Sequence, residues 1–392
     1  SKRDTKAQVT QNFSQMEYYI YKKTIQSPPK ALSVYGSSSQ SHSSLCSFNS
    51  EPYPSQIFRS DFNYCYETPS KDSDTGISAA TKTPAGRFAP SPTGRMHLGN
   101  VFTALLSWLS VRKAGGRWIL RIEDLDPQRS REEYARQIED DLLWLGLEWD
   151  EGGLAGRGDA APYRQSLRGE IYETYLRRLE STGYTYPCVC TRADIMATQA
   201  PHQSDGRVIY GGRCRPATLP CVLPAENVTA RHAVRLYVPE DEICFSDRVY
   251  GQQRVSLAAE CGDFVLRRAD GAWAYQLAVV VDDALMGVTE VVRGNDLLLS
   301  AAQQIYLYRL LGLQSPSYAH LPLLCNQDGQ RLSKRDSSLS MDRLREAYSP
   351  ERLVGHLAWL AGLLPQPQAC RPDDLIEAFD WNCIKPLSGI TV

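Results

Sequence analysis

The chain has 392 residues, 42% of them hydrophobic, which is enough for two or three domains and a sizeable core. Its net charge of −2 excludes a surface coated in basic charge, though not a local basic face for nucleic acid. No apolar run reaches roughly eighteen residues and no signal peptide opens the chain, while the 11 cysteines are mostly scattered singly, so a cytoplasmic protein without a membrane span or disulfide framework is expected.

Residues 1–83 are rich in Ser, Tyr and Pro ("SVYGSSSQSHSSLCSFNSEPYPSQ") and carry neither a helical nor a strand period. They read as a disordered, low-complexity extension. Order is expected from Gly86. "GRFAP" predicts a short strand, and "GNVFTALLSWLSVRKAGG" a helix ending at Gly115-Gly116. "RWILRIED" predicts a buried strand broken by Asp126-Pro127. "REEYARQIEDDLLWLGLEW" predicts an amphipathic helix with Ile138, Leu142 and Leu145 on one face. Alternating strands and helices at this spacing predict an α/β fold with a Rossmann-type, doubly wound parallel sheet. Residues 84–183 form its first half.

The stretch 184–262 has more Pro, Cys and Gly and reads as an insertion. The second half of the core is expected over 263–338. There "WAYQLAVVVDDALMGVTEVVRG" reads as two strand-like runs and "DLLLSAAQQIYLYRLLG" as a helix. "LLCNQDGQRLSKRD" reads as a hairpin turning at Asp328-Gly329. Residues 339–392 are expected to be a short helical tail: "MDRLREAY", "ERLVGHLAWLAGLL" and "PDDLIEAF".

Three motifs carry chemistry. "RFAPSPTGRMHLGN" joins the first strand to the first helix, at the carboxyl edge where parallel sheets bind ligands. The helix N-terminus suits phosphate. Gly94 and Gly99 allow close backbone approach, Pro90 and Pro92 stiffen the loop, and His97 can donate to phosphate oxygens. "RLSKR" at 331–335 offers Lys334, a flexible ammonium suited to a reacting triphosphate. In "CVC", Cys188 and Cys190 form a tight thiolate hook that Cys214 can join around a metal. Chemistry alone leaves the fourth ligand open, with His202 and Cys221 the ordinary choices.

The first two motifs resemble the HIGH and KMSKS signatures of class I aminoacyl-tRNA synthetases. Asn100 stands where the last HIGH histidine would be, and Arg331 and Arg335 replace the first lysine and last serine of KMSKS. "RFAPSPTG", "LRIEDLDPQRS" and "VVRGNDLL" resemble the glutamyl/glutaminyl branch. This resemblance implies a glutamate site of Arg87, Phe88, Ala89, Pro90, Ser91, Glu123, Tyr275 and Arg293. Within it, Arg87 would grip the side-chain carboxylate and Glu123 would meet the α-ammonium. It further implies an ATP site of His97, Gly99, Asn100 and Lys334, with Mg²⁺, and names His97 and Lys334 as catalytic.

Fewer than sixty residues follow Lys334, too few for an appended anticodon-binding domain. With the Cys-x-Cys and Tyr-x-x-x-Cys insertion, the chain resembles the glutamyl-Q tRNA(Asp) synthetases. That resemblance implies one structural Zn²⁺ on Cys188, Cys190, Tyr210 and Cys214. It also implies transfer of ATP-activated glutamate to the queuosine base in the tRNA(Asp) anticodon, by a monomer. Two alternatives stand beside it: a glutamyl-tRNA synthetase lacking its C-terminal domain and charging tRNA(Glu), and an inactive synthetase-like binding module.

Overall fold

The computed structural model describes residues 83–191, 193–194, 209–218, 220, 231–326, 332 and 339–392. The expected extension, apart from Thr83, and Lys334, His202 and Cys221 lie outside these residues. So does the expected turn at Asp328-Gly329.

The main sheet is built from β1 (Ala85–Phe88), β2 (Arg117–Leu120), β3 (Glu151–Gly152), β6 (Glu242–Asp247), β7 (Gly251–Ser256), β9 (Glu290–Gly294) and β10 (Ser317–Leu321). Its order is β3-β2-β1-β9-β10-β6-β7, and every neighbouring pair is parallel except β6 with β7. From β1 the chain winds outward through β2 to β3, and on its return β9 pairs with the opposite side of β1. The strand order therefore reverses between β1 and β9, which opens a crevice at their carboxyl ends.

Helix α1 (Leu98–Lys113) follows β1 and is buried along nearly its whole length, from Leu98 and Phe102 to Trp108 and Val111. Gly115, at φ 66°, ends it. Helix α2 (Glu132–Trp144) is amphipathic as its pattern predicts. It buries Ala135, Ile138 and Leu142, and Glu132 and Glu133 in its first turn suit the helix dipole. Helices α3 (Gly169–Ser181), the single turn α4 (Leu257–Glu260), α5 (Tyr275–Leu285) and α6 (Leu298–Leu311) follow. Much of the core lies among α3, α5, α6 and the sheet, where Tyr172, Leu277, Val280, Ala301 and Tyr308 are buried.

The expectation of two strand-like runs over 273–294 holds only for the second, which is β9. The first is α5. Its Val279-Val280-Val281 favours strand by local propensity, yet Leu277 to Asp283 are buried on every side of a helix. Periodicity cannot separate a fully buried helix from a strand in a short apolar run.

The expected insertion contains two different things. Strands β4 (Thr185–Cys188), β5 (Ala233–Leu236) and β8 (Phe264–Arg267) make a separate antiparallel sheet. Its last strand lies past residue 262, where the core was expected to resume. The β6–β7 hairpin, although inside the expected insertion, extends the main sheet at the edge of β10.

The tail also departs from expectation. Helices α7 (Met341–Ala347) and α8 (Pro350–Leu360) form as predicted. "PDDLIEAF" gives only a 3-10 turn, Pro372–Leu375, because Leu375 and Phe379 are its only fully buried apolar anchors after the proline, too few to propagate a helix. The chain ends in a strand, β12 (Gly389–Thr391), which pairs in parallel with β11 (Leu323–Cys325). The partner of β11 is therefore the C-terminus, and the Leu332 N–H also returns to the Leu324 carbonyl at 2.9 Å.

The edge strand β3 depends on a glycine. Gly152 has φ 90°, and a Cβ there would lie 2.0 Å from the Leu120 carbonyl oxygen. Gly152→Ala is expected to cost about 2 kcal/mol or more, from left-handed strain plus a backbone clash. Thermal unfolding checks this, with a fall in Tm of roughly 3 °C or more; an unchanged Tm would contradict the close approach.

Candidate active site

A cavity of about 460 Å³ sits at the crevice between β1 and β9. Every predicted glutamate and ATP residue among the described residues lines it: Arg87, Phe88, Ala89, Pro90, Ser91, His97, Gly99, Asn100, Glu123, Tyr275 and Arg293. Arg87 and Phe88 end β1, Arg293 lies on β9, and Tyr275 begins α5. Lys334 lies outside the described residues, but Leu332, two positions earlier, lines the same cavity.

The loop from Ala89 to Met96 delivers the chain to the N-terminus of α1. The Asn100 side-chain oxygen accepts the His97 N–H at 3.1 Å, and the His97 carbonyl accepts the Asn100 N–H at 2.9 Å. Asparagine thus closes this turn at the position where the motif has histidine. The His97 ring lies against Gly99, where a Cβ would stand 3.2 Å from Nδ1 and Cε1. Glycine lets the imidazole lie along the first turn of α1, at the end of the helix that suits phosphate. The loop is tied down from the far end of the chain. The Met341 N–H donates to the Met96 carbonyl at 2.9 Å, His97 bridges to Ser340, and Arg95 pairs with Asp342 at 2.8 Å and with Asp141 at 3.2 Å.

Behind Arg87 and Glu123 lies a second layer of charge. Arg121, fully buried, donates to Asp283 at 2.6 Å and to Glu123 at 3.0 Å. Arg87 Nε donates to the same Asp283 oxygen, and its Nη1 to the Val292 carbonyl, both at 3.4 Å. Asp282, the neighbouring residue, accepts from Arg168 at 2.6 Å, Tyr172 at 2.8 Å and Gln165 at 2.9 Å. Burial alone would push Asp283 up, but the Arg121 and Arg87 guanidiniums hold its carboxyl below its ordinary value. Glu123 goes the other way: burial pushes it up, and Arg121 and Arg87 only partly offset that. Burial also raises the Tyr275 phenol.

Arg293 is held on three sides. Its Nε donates to His320 Nε2 at 3.0 Å, Nη1 to Gln304 at 2.8 Å and Nη2 to the Leu297 carbonyl at 3.2 Å. Burial keeps the His320 imidazole below its ordinary pKa. None of Arg121, Asp282, Asp283, Gln304 or His320 was singled out from the sequence. One signal was there to find: "VVVDDAL" puts two acids in an apolar run, where buried carboxylates call for buried partners.

Away from this cavity, the sulfurs of Cys188, Cys190 and Cys214 lie within 4.8 Å of one another. The Tyr210 hydroxyl is 3.5 Å from Cys188 Sγ and 3.9 Å from Cys190 Sγ. It accepts the Cys214 N–H at 2.6 Å. The structure thus brings all four predicted metal ligands together.

Residues 85–385 match the family described as tRNA synthetases class I (E and Q), catalytic domain. A protein from Symbiobacterium thermophilum named glutamyl-Q tRNA(Asp) synthetase is 52% identical over 305 residues, covering 75% of this chain and 92% of its own length. One of the same name from Nitratidesulfovibrio vulgaris is 47% identical over 309 residues, covering 78% of this chain and 93% of its own length. The crystal structure of a glutamate tRNA ligase from Elizabethkingia meningosepticum in complex with its amino acid is also similar, with a TM-score of 0.68 at 31% identity. That match covers 79% of this chain and 67% of the other. Cavity, loop and sequence agree, and the chain belongs to the class I tRNA synthetases of the glutamate and glutamine branch.

Proposed function

We propose that this protein activates glutamate with ATP and transfers it to the queuosine base in the anticodon of tRNA(Asp). One observation carries this reading: relatives at 52% and 47% identity, matched over 92% and 93% of their own lengths, bear that name. The cavity supports the same chemistry. Arg87 offers a guanidinium for the glutamate side-chain carboxylate. Glu123 offers a carboxylate for the α-ammonium, and Tyr275 and Arg293 complete the amino-acid site. His97, Gly99 and Asn100, at the N-terminus of α1, would take the ATP phosphates with Lys334 and Mg²⁺.

In the first step, an oxygen of the glutamate α-carboxylate bonds to the ATP α-phosphorus, and the bond to the bridging oxygen of pyrophosphate breaks. In the second, a hydroxyl of the queuosine cyclopentenediol attacks the activated carbonyl and loses its proton, and AMP leaves. No protein nucleophile is needed. Alignment and stabilisation of charge developing on phosphate suffice. Helix α2 with the loop before it, and the sheet of β4, β5 and β8, two of whose strands lie in the expected insertion, are the candidate surfaces for the anticodon loop.

Cys188, Cys190, Cys214 and Tyr210 would hold one structural Zn²⁺. Three sulfurs and a phenol oxygen at these separations suit a tetrahedral cation. Burial and the adjoining Cys214 sulfur push the Cys190 thiol up to about 11, and burial raises the Tyr210 phenol as well. Such groups keep their protons at neutral pH unless a cation displaces them. A bound ion would cross-link β4 to the segment around residue 214. A cytoplasmic monomer completes the reading. Every cysteine among the described residues is a free thiol, and no described helix is long and apolar enough to cross a membrane.

Three outcomes are expected. Purified protein glutamylates queuosine-containing tRNA(Asp) and not tRNA(Glu). The reverse preference would make it a glutamyl-tRNA synthetase, and no glutamate-dependent pyrophosphate exchange at all would make it a binding module. Lys334→Ala lowers that exchange by roughly 10²–10³ with the fold retained, the effect of losing one transition-state contact. Elemental analysis gives one zinc per chain, and Tyr210→Phe lowers its retention against a chelator. Unchanged retention would move the fourth ligand to His202 or Cys221.

A further inference from the structure

Arg293 and His320 are cross-strand partners in the register of β9 and β10, so their side chains stand on the same face of the sheet. A guanidinium carries five N–H groups. Three of those on Arg293 are taken by His320, Gln304 and the Leu297 carbonyl. The two left over are one on Nη1 and one on Nη2. Arg293 lines the cavity, so these are the donors it has for a ligand.

For His320 to accept from Arg293, its Nε2 must carry a lone pair and its proton must sit on Nδ1. Asp247 sets this arrangement. Its Oδ2 lies 2.6 Å from His320 Nδ1 and also accepts the His320 backbone N–H at 3.1 Å, and its Oδ1 accepts the Val249 and Tyr250 N–H groups at 3.0 and 2.9 Å. Asp247 ends β6, the strand of the hairpin added to the edge of the main sheet. Below the pair, Tyr318 stacks on His320 at 6.0 Å with the rings 12° apart.

We propose that His320 and Asp247 are positioning residues for amino-acid recognition: Asp247 fixes the Nδ1–H tautomer of His320, and His320 turns Arg293 so that its two remaining N–H groups face a glutamate carboxylate. The proposal rests on the reading that Arg293 binds glutamate. It also gives the β6–β7 hairpin a functional role, since the hairpin delivers Asp247.

The test measures glutamate-dependent pyrophosphate exchange with the full chain. Asp247→Asn is the sharper variant. Keeping its oxygen on the Val249 and Tyr250 N–H groups turns the amide NH₂ toward Nδ1 and the His320 backbone N–H, which removes that backbone bond and moves the imidazole proton to Nε2, against Arg293. Its KM for glutamate is expected to rise about ten-fold or more, as does that of His320→Ala, while kcat and the KM for ATP stay within about two-fold. His320→Gln, whose amide oxygen can accept from Arg293, recovers part of the loss. In ¹⁵N-labelled protein the His320 imidazole changes from the Nδ1–H to the Nε2–H pattern in Asp247→Asn. A glutamate KM within two-fold of the parent in both Asp247→Asn and His320→Ala overturns the proposal, provided Arg293→Gln raises it. Losses spread equally over glutamate, ATP and kcat also overturn it, by making the pair merely structural. No effect in Arg293→Gln overturns the reading of Arg293 itself.

Discussion

Two adjacent carboxylates, Asp282 and Asp283, determine what can stand around the cavity. A guanidinium withdrawn from water needs a paired charge, and breaking such a pair by removing one partner costs about 3–5 kcal/mol. Arg87 and Arg121 are both buried, and both pair with Asp283. Asp282 does the same for Arg168, which also donates to the Ala160 and Pro162 carbonyls and so fixes the chain leading into α3. Consecutive residues on a helix point about 100° apart. One helix, α5, therefore serves two guanidinium clusters, one beside the cavity and one deeper in the core.

The parallel sheet supplies the second condition. Because strand order reverses between β1 and β9, the loop after β1 has no crossover lying above it, and the N-terminus of α1 opens into the crevice. What surrounds that crevice comes from distant parts of the chain. Arg293 arrives on β9, Glu123 just after β2, and Tyr275 at the start of α5. The loop itself is braced from below by Asp141 on α2 and from the C-terminal side by Met341 and Asp342. The segment carrying Lys334 is therefore flanked by two anchored points. Leu332 is bonded to β11 beside the cavity, and Ser340 is bridged to His97.

The cavity-lining residues were legible because they are local. The Pro-Ser-Pro-Thr-Gly loop, His97 two positions before Gly99, and "RIED" at a strand end each carry their meaning within a few residues. The Cys-x-Cys hook is equally local, while the Tyr-x-x-x-Cys spacing is read only through the family resemblance. What was misread depends on burial and on distant partners. Strand propensity in "AVVVDDAL" was overridden because α5 is enclosed by α3, α6 and the sheet. The partner of β11 is a strand more than sixty residues later, and no local pattern announces a parallel pairing across that distance. The β6–β7 hairpin looked like part of an insertion because its composition matches its neighbours, yet its hydrogen bonds belong to the main sheet.

By itself, the sequence determined the parallel α/β class, the branch of the synthetase family, and the chemical character of the groups that meet at the cavity. The class follows from hydrophobic period and the chemical character from residue type, while the branch came from the resemblance of short motifs to a known family; all three rest on a few consecutive residues. Only the tertiary structure decided how those groups are held. The pairing of Arg87 and Arg121 with one aspartate, and the His320 imidazole set between Asp247 and Arg293, join residues separated by 27 to 196 positions. Such contacts exist only once the sheet has brought its strands into register. Each depends on the loss of water around several charges at once, and no short stretch of sequence encodes that.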